Sequence, residues 1–103
     1  MRSVLSLLEG RTDAPAVAFD PEGRWRVHPR VALRPESFGA LAYHYDTRRL
    51  IFLKSPTLVE LVSSLDRYPS AAAAVEAIVP AAERTKYSSA LARLAASEVI
   101  DAG

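Results

Sequence analysis

Residues 49–53 read Arg49-Leu50-Ile51-Phe52-Leu53, and the chain changes character on either side of them. Before them the pattern alternates and is broken by turn formers. After them every apolar period is helical. The five residues therefore read as the last strand of a small antiparallel sheet. In a simple meander the last strand is an edge, so one row of its N–H and C=O groups lacks a partner. Such an edge can capture an extended peptide as one further strand.

Working backwards, Asp46-Thr47-Arg48-Arg49 suits a turn with Asp46 at the favoured first position. Phe38–Tyr45 is the middle strand, and Gly39 near its start marks a candidate bulge. Arg34-Pro35-Glu36-Ser37 suits a type I turn, with proline's fixed φ at the second position. Trp25, Val27, Val31 and Leu33 make Arg24–Leu33 strand-like. Pro29 interrupts it, so it is an edge strand or two short pieces. Short turns imply sequential antiparallel pairing. Residues 1–23 carry no sustained period and are punctuated by Gly10, Pro15, Pro21 and Gly23. They are expected to form a flexible or loosely docked arm, in which Val4, Leu5, Leu7 and Leu8 are spaced for one amphipathic turn. The domain proper is expected over residues 24–103.

Working forwards, Ser55-Pro56 predicts a helix start with proline at the first helical position. Thr57-Leu58-Val59-Glu60 also reads as a capping box, so the boundary is open by two residues. Leu58, Leu61, Val62 and Leu65 form one apolar stripe. Tyr68-Pro69 stops this helix, and Ser70 caps a second with Ala74, Val75, Ile78 and Val79 on one face. Pro80 ends that one. A third is predicted from about Ala82 to Ser97 with the stripe Tyr87, Ala90, Leu91, Leu94 and Ala95, and Val99-Ile100 reads as an apolar tail that packs back. A three-stranded antiparallel sheet followed by three helices is an α+β arrangement, with the helices on one face of the sheet.

Composition narrows the functions. A chain of 103 residues fits one domain, which at this size buries roughly 65% of its unfolded surface. There is no cysteine, which excludes disulfides and thiolate metal sites. The longest apolar run, Ala71–Val75, is far short of a membrane span, and no signal peptide is evident. Net charge is +1, but Glu22–Lys54 holds seven basic and three acidic residues, leaving the sheet half at +4. That asymmetry points to an acidic partner. No catalytic constellation assembles. His28 and His44 lack metal-ligand spacing and read as ordinary strand histidines. The four glycines form no phosphate loop, and Ser63, Ser64, Ser88 and Ser89 lie inside helical pattern without a nucleophile elbow. The chain reads as a binding module without a cofactor.

Three readings of that module are open. In the first, the Arg49–Leu53 edge supplies backbone hydrogen bonds to a peptide, and Tyr87, Ala90, Leu91 and Leu94 form the opposite wall. Arg48 and Arg49 flank the strand and suit a guest carboxylate. In the second, a winged helix-turn-helix places the third helix in DNA. Against it, Arg84, Lys86 and Arg93 are offset by Glu83 and Glu98, and the sheet precedes the helices. In the third, the edge pairs with a second copy of the chain.

Trp25-Arg26-Val27-His28-Pro29-Arg30-Val31-Ala32-Leu33-Arg34-Pro35-Glu36, then Phe38-Gly39-Ala40-Leu41 and Tyr43-His44-Tyr45, lead into Thr47-Arg48-Arg49-Leu50, Phe52-Leu53-Lys54 and Thr57-Leu58-Val59-Glu60. This run resembles the MftB family of mycofactocin-system peptide chaperones, relatives of the PqqD-like precursor-peptide recognition elements. The likeness is dense from Trp25 to Glu60 and rests on helical pattern beyond Tyr68. Relatives often place a glycine before the closing apolar pair, where this chain has Ser97-Glu98. The resemblance implies a winged-helix-like fold and no catalysis. It implies that a short, acidic, ribosomally made precursor peptide is bound and presented to a radical S-adenosylmethionine maturase in the cytoplasm, with neither nucleic acid nor membrane as partner. It also implies that the leader lies on Leu50, Ile51, Phe52 and Leu53, with Tyr87, Leu91 and Leu94 opposite.

Overall fold

The computed structural model describes residues 19–103. The strands are β1 (Trp25–Val27), β2 (Val31–Glu36), β3 (Gly39–His44), β4 (Leu50–Leu53) and β5 (Ile100–Ala102), and the helices are α1 (Pro56–Ser64), α2 (Ala71–Ile78) and α3 (Arg84–Ala96). Single 3₁₀ turns at Leu65–Arg67 and Ala81–Glu83 end α1 and lead into α3. The α+β arrangement holds: β2, β3 and β4 form a three-stranded antiparallel sheet in that order, with three helices after it.

Pro29 does split the first strand-like segment. His28 and Pro29 turn the chain, with the Val31 amide donating to the His28 carbonyl and the Arg30 amide to His28 Nδ1. Only the second piece joins the sheet. The first, β1, pairs with the C-terminal β5 in a separate ribbon, Trp25 opposite Ala102 and Val27 opposite Ile100. The apolar tail thus packs back as a strand, burying Val99 and Ile100.

The expected turn at Arg34–Ser37 is corrected. Pro35 and Glu36 belong to β2, and the hairpin turns at Ser37-Phe38, with Glu36 opposite Gly39. Proline is tolerated there because β2 has β3 as its only described neighbour. The Tyr45 amide donates to the Arg30 carbonyl at 2.8 Å, and alternation from that pair points the Pro35 nitrogen away from β3. Gly39 has φ +150°, and a Cβ on it would meet the Leu53 carbonyl oxygen at 2.1 Å. A side chain at this position would push β4 away from β3.

Ser55 decides the start of α1: its Oγ accepts from the Leu58 amide, and Pro56 follows as the first helical residue. The start lies here rather than at Thr57. Ser70 caps α2 likewise through the Ala73 amide, while the Gly23 and Pro21 carbonyls accept from Ala71 and Ala72. Those contacts dock Phe19–Gly23 on the helix start, with the Phe19 ring 5.1 Å from that of Trp25. The expected arm and its Val4–Leu8 turn otherwise lie outside the described residues.

The core joins one sheet face to the three helices. Ala40, Ala42 and Leu53 face Leu61, Val62, Leu65, Ala74, Val75, Leu91, Leu94 and Ala95. Burying each large aliphatic side chain contributes roughly 1.5–3 kcal/mol. Helix α3 closes without glycine. The Glu98 amide donates to the Ala95 carbonyl and the Val99 amide to the Leu94 carbonyl, a Schellman pattern with Glu98 at φ +64° in the left-handed position.

Candidate functional site

The alternation of antiparallel pairing decides which β4 groups are free. The His44 amide donates to the Arg49 carbonyl at 3.0 Å. Every second opposed pair after it exchanges hydrogen bonds, so Ala42 with Ile51 and Ala40 with Leu53 are bonded pairs. The N–H and C=O groups of Leu50 and Phe52 consequently point away from β3. No described strand pairs with that edge, since β5 is engaged with β1.

Beside the edge runs a furrow between β4 and α3. One hollow of about 250 Å³ is lined by Ile51, Phe52 and Leu53 on the strand side, and by Ala90, Arg93 and Leu94 on the helix side. Leu58 closes its floor and Ser97 its end. It continues, through Phe52, Leu58, Ala90 and Arg93, into a hollow of about 280 Å³ that adds Lys54, Ser55, Lys86 and Tyr87. At the opposite end, Ser97 is shared with a hollow of about 240 Å³ bordered by Arg49, Thr47 and Glu98.

The sequence-derived residues fall into three groups. Ile51, Phe52, Leu53, Tyr87, Ala90 and Leu94 line the furrow, and Arg49 stands at one end. Leu50 and Arg48 do not line it. Leu50 turns its side chain to the outer sheet face, opposite Tyr43. Arg48 occupies the β3–β4 loop at φ +63°. Leu91 is fully buried at 0% exposure and supports the wall from behind. Tyr87 is also mostly buried, and its hydroxyl is 2.8 Å from Ser55 Oγ.

Sequence reasoning missed the basic residues of the furrow because it read the α3 charges as balanced. In space they separate. Arg84 turns away, donating to the Val79 and Glu76 carbonyls at the end of α2. Glu98 approaches His44 instead, 3.9 Å from its Nε2. Lys54, Lys86 and Arg93 are left facing the hollow, with no ion-pair partner among the described residues. The amphipathic order of α3 contained this signal: Lys86, Ala90 and Arg93 share one side at helical spacing.

The fold also gathers the two histidines. Their ring centroids lie 4.6 Å apart, and with Glu98 they offer ligand atoms within 4.8 Å of one another. His44 is 2% exposed and its Nδ1 accepts from the Asp46 and Thr47 amides, which folds the β3–β4 loop. His28 Nδ1 likewise accepts from Arg30. A neutral ring that accepts at Nδ1 carries its proton on Nε2, so these rings offer N–H donors rather than a lone pair to this corner. The cluster reads as a loop-organising element, not a metal centre.

The molecule is thus an α+β domain in which the outer edge of β4 has no strand partner among the described residues and borders a helix-walled furrow. No described helix is long and apolar enough to cross a membrane. Residues 24–101 match the model of the peptide chaperone MftB family. The chain is 43% identical over 102 residues to a peptide chaperone MftB of Mycobacterium ulcerans (strain Agy99), covering 97% of this chain and 94% of the relative. It is 44% identical over 88 residues to that of Mycobacterium tuberculosis (strain ATCC 25618 / H37Rv), covering 84% and 81%. With that of Mycolicibacterium smegmatis (strain ATCC 700084 / mc(2)155) it shares 53% identity over 62 residues, covering 60% and 61%. No solved structure matches it. The chain belongs to the peptide chaperone MftB family, which is a family of chaperones and not of enzymes.

Proposed function

We propose that this chain takes up a ribosomally made precursor peptide as an added strand on β4 and presents it to a radical S-adenosylmethionine maturase in mycofactocin biosynthesis. The observation that carries this reading is the outward-facing backbone of Leu50 and Phe52 beside the furrow. Two donors and two acceptors in register suit an extended guest, and the furrow receives its alternate side chains. In this reading residues 24–103 are a PqqD-like, winged-helix recognition element that works in the cytoplasm, and residues 1–23 are its arm.

The guest contacts Ile51, Phe52 and Leu53 on one side and Ala90, Leu94 and the Tyr87 rim on the other. Leu91 holds the wall in place. Lys54, Lys86 and Arg93 favour a guest with carboxylates, as does Arg49 at the far end. Exposed pairs of this kind are worth about 0.2–1 kcal/mol each, so they orient the guest while the backbone and the apolar furrow hold it.

The test is a titration of fluorescently labelled precursor peptide into the purified chain. Saturable binding, lost when the peptide's leader is removed, is expected. Absence of binding by the intact, folded chain overturns the proposal.

A further inference from the structure

On α3, Lys86, Ala90 and Leu94 stand four residues apart, so they share one face, and all three line the furrow. The other wall offers Ile51, Leu53 and Ser55, the last still extended at φ −155° and ψ 126°. Ser55 is tied to Tyr87 at one end, and Arg49 borders Ser97 at the other. Strand β4 and helix α3 therefore run antiparallel along the furrow. Four helix residues rise about 6 Å and two strand residues about 6.6 Å. The walls thus keep step over three levels: Ile51 with Leu94, Leu53 with Ala90, and Ser55 with Lys86.

Each level has its own chemistry. Leu94 is an apolar wall that is itself part of the core. Ala90 is half-buried, belongs to both hollows and has Leu58 beneath it. Its methyl group is the smallest side chain of the three, so this level has the most room. Lys86 is exposed, its ammonium 5.8 Å from the Tyr87 ring centre, and it has no carboxylate partner among the described residues. Lys54 and Arg93 line the same hollow. The far end differs, since Arg49 shares its hollow with Glu98.

We propose that the furrow selects its guest by three alternate side chains: an apolar one against Leu94, a bulky apolar one over Ala90, and a carboxylate beside Lys86. The inference rests on strand addition at β4, as proposed above. A guest residue directly opposite Ile51 or Leu53 points to the same side as its neighbour, into the furrow, and the residues between point to the outer sheet face. The three selected positions are therefore two residues apart in the guest. A helical guest would space them by three or four. Ala90 is the specificity-determining residue, because its size sets the largest side chain admitted. The carboxylate falls at one end of the series, so the order along the peptide reports its direction. It comes first in a guest antiparallel to β4 and last in a parallel one.

An alanine scan of the precursor peptide's leader, read by fluorescence titration, tests this without altering the chain. Losses are expected at three positions two residues apart. The bulky position should lose at least about tenfold and the other apolar position at least about threefold, and the carboxylate about twofold to fivefold. Ala90→Leu keeps a good helix former. Checked as folded by circular dichroism, it is expected to weaken the intact peptide at least about tenfold. It should bind the peptide trimmed to alanine at the bulky position more tightly than the unaltered chain does. Lys86→Glu is expected to prefer a peptide with lysine in place of the carboxylate, reversing the order of the unaltered chain. Folded Ala90→Leu that binds the intact peptide within twofold overturns selection at this level and leaves strand addition standing. Sensitive positions three or four apart, or no binding of the intact peptide by the unaltered chain, overturn both.

Discussion

Ser55 Oγ and the Tyr87 hydroxyl lie 2.8 Å apart, and this one hydrogen bond ties the end of β4 to the start of α3. It spans the furrow at its basic end. Tyr87→Phe removes it and is expected to cost about 0.5–1.5 kcal/mol of stability. Ser55→Ala removes the same bond and the α1 cap, adding about 1 kcal/mol. Urea unfolding of the two variants checks the order. Equal losses would show that the cap contributes nothing.

Proline scanning separates the two sides of β4. Ile51 and Leu53 direct their backbone to β3, whereas Leu50 and Phe52 direct theirs outward. Leu50→Pro deletes an outward donor at the first residue of the strand, a place where proline is tolerated. It is expected to keep a folded circular dichroism spectrum and to weaken peptide binding well beyond Leu50→Ala. Ile51→Pro deletes a bond of the sheet itself and is expected to lower stability by about 1–3 kcal/mol. An exchange of the two effects would contradict the pairing of Ala42 with Ile51 as a hydrogen-bonded pair.

The basic residues of the furrow set the salt dependence. Lys86→Ala and Arg93→Ala are each expected to weaken an acidic guest by about 0.2–1 kcal/mol, with no effect on a guest whose carboxylates are neutralised. The difference should vanish near 1 M salt, where the screening length falls to about 3 Å. Fluorescence titration across a salt series measures it.

Glu98 carries backbone strain that glycine would relieve. A non-glycine residue at φ +64° costs about 1–2 kcal/mol relative to glycine in the same place. Glu98→Gly is expected to stabilise by about 1 kcal/mol and raise the melting temperature by about 4–8 °C. A lower melting temperature would mean that the approach of Glu98 to His44 outweighs the strain.

The legible parts were those governed by local periodicity and capping. Ser55, Pro56 and Ser70 mark their helix starts, the first to within two residues, and Leu61, Val62 and Leu91 bury as their spacing requires. The hairpin at Ser37-Phe38 was not legible, because Pro35 looks like a turn residue until the pairing shows its nitrogen facing outward. Nor was the ribbon of β1 with β5, which joins residues far apart in the chain. At the site, the strand and wall could be read from the sequence. The outward pair Leu50 and Phe52 could not, since register decides it. The basic furrow also stayed hidden, since it depends on where Arg84 and Glu98 turn.

Amide hydrogen exchange, resolved by residue with and without saturating precursor peptide, tests the central claim most directly. Ile51 and Leu53 are expected to be protected in both states. Leu50 and Phe52 are expected to exchange quickly in the empty chain and at least tenfold more slowly in the loaded one. Saturable binding that leaves the Leu50 and Phe52 amides as fast as before would contradict strand addition on β4.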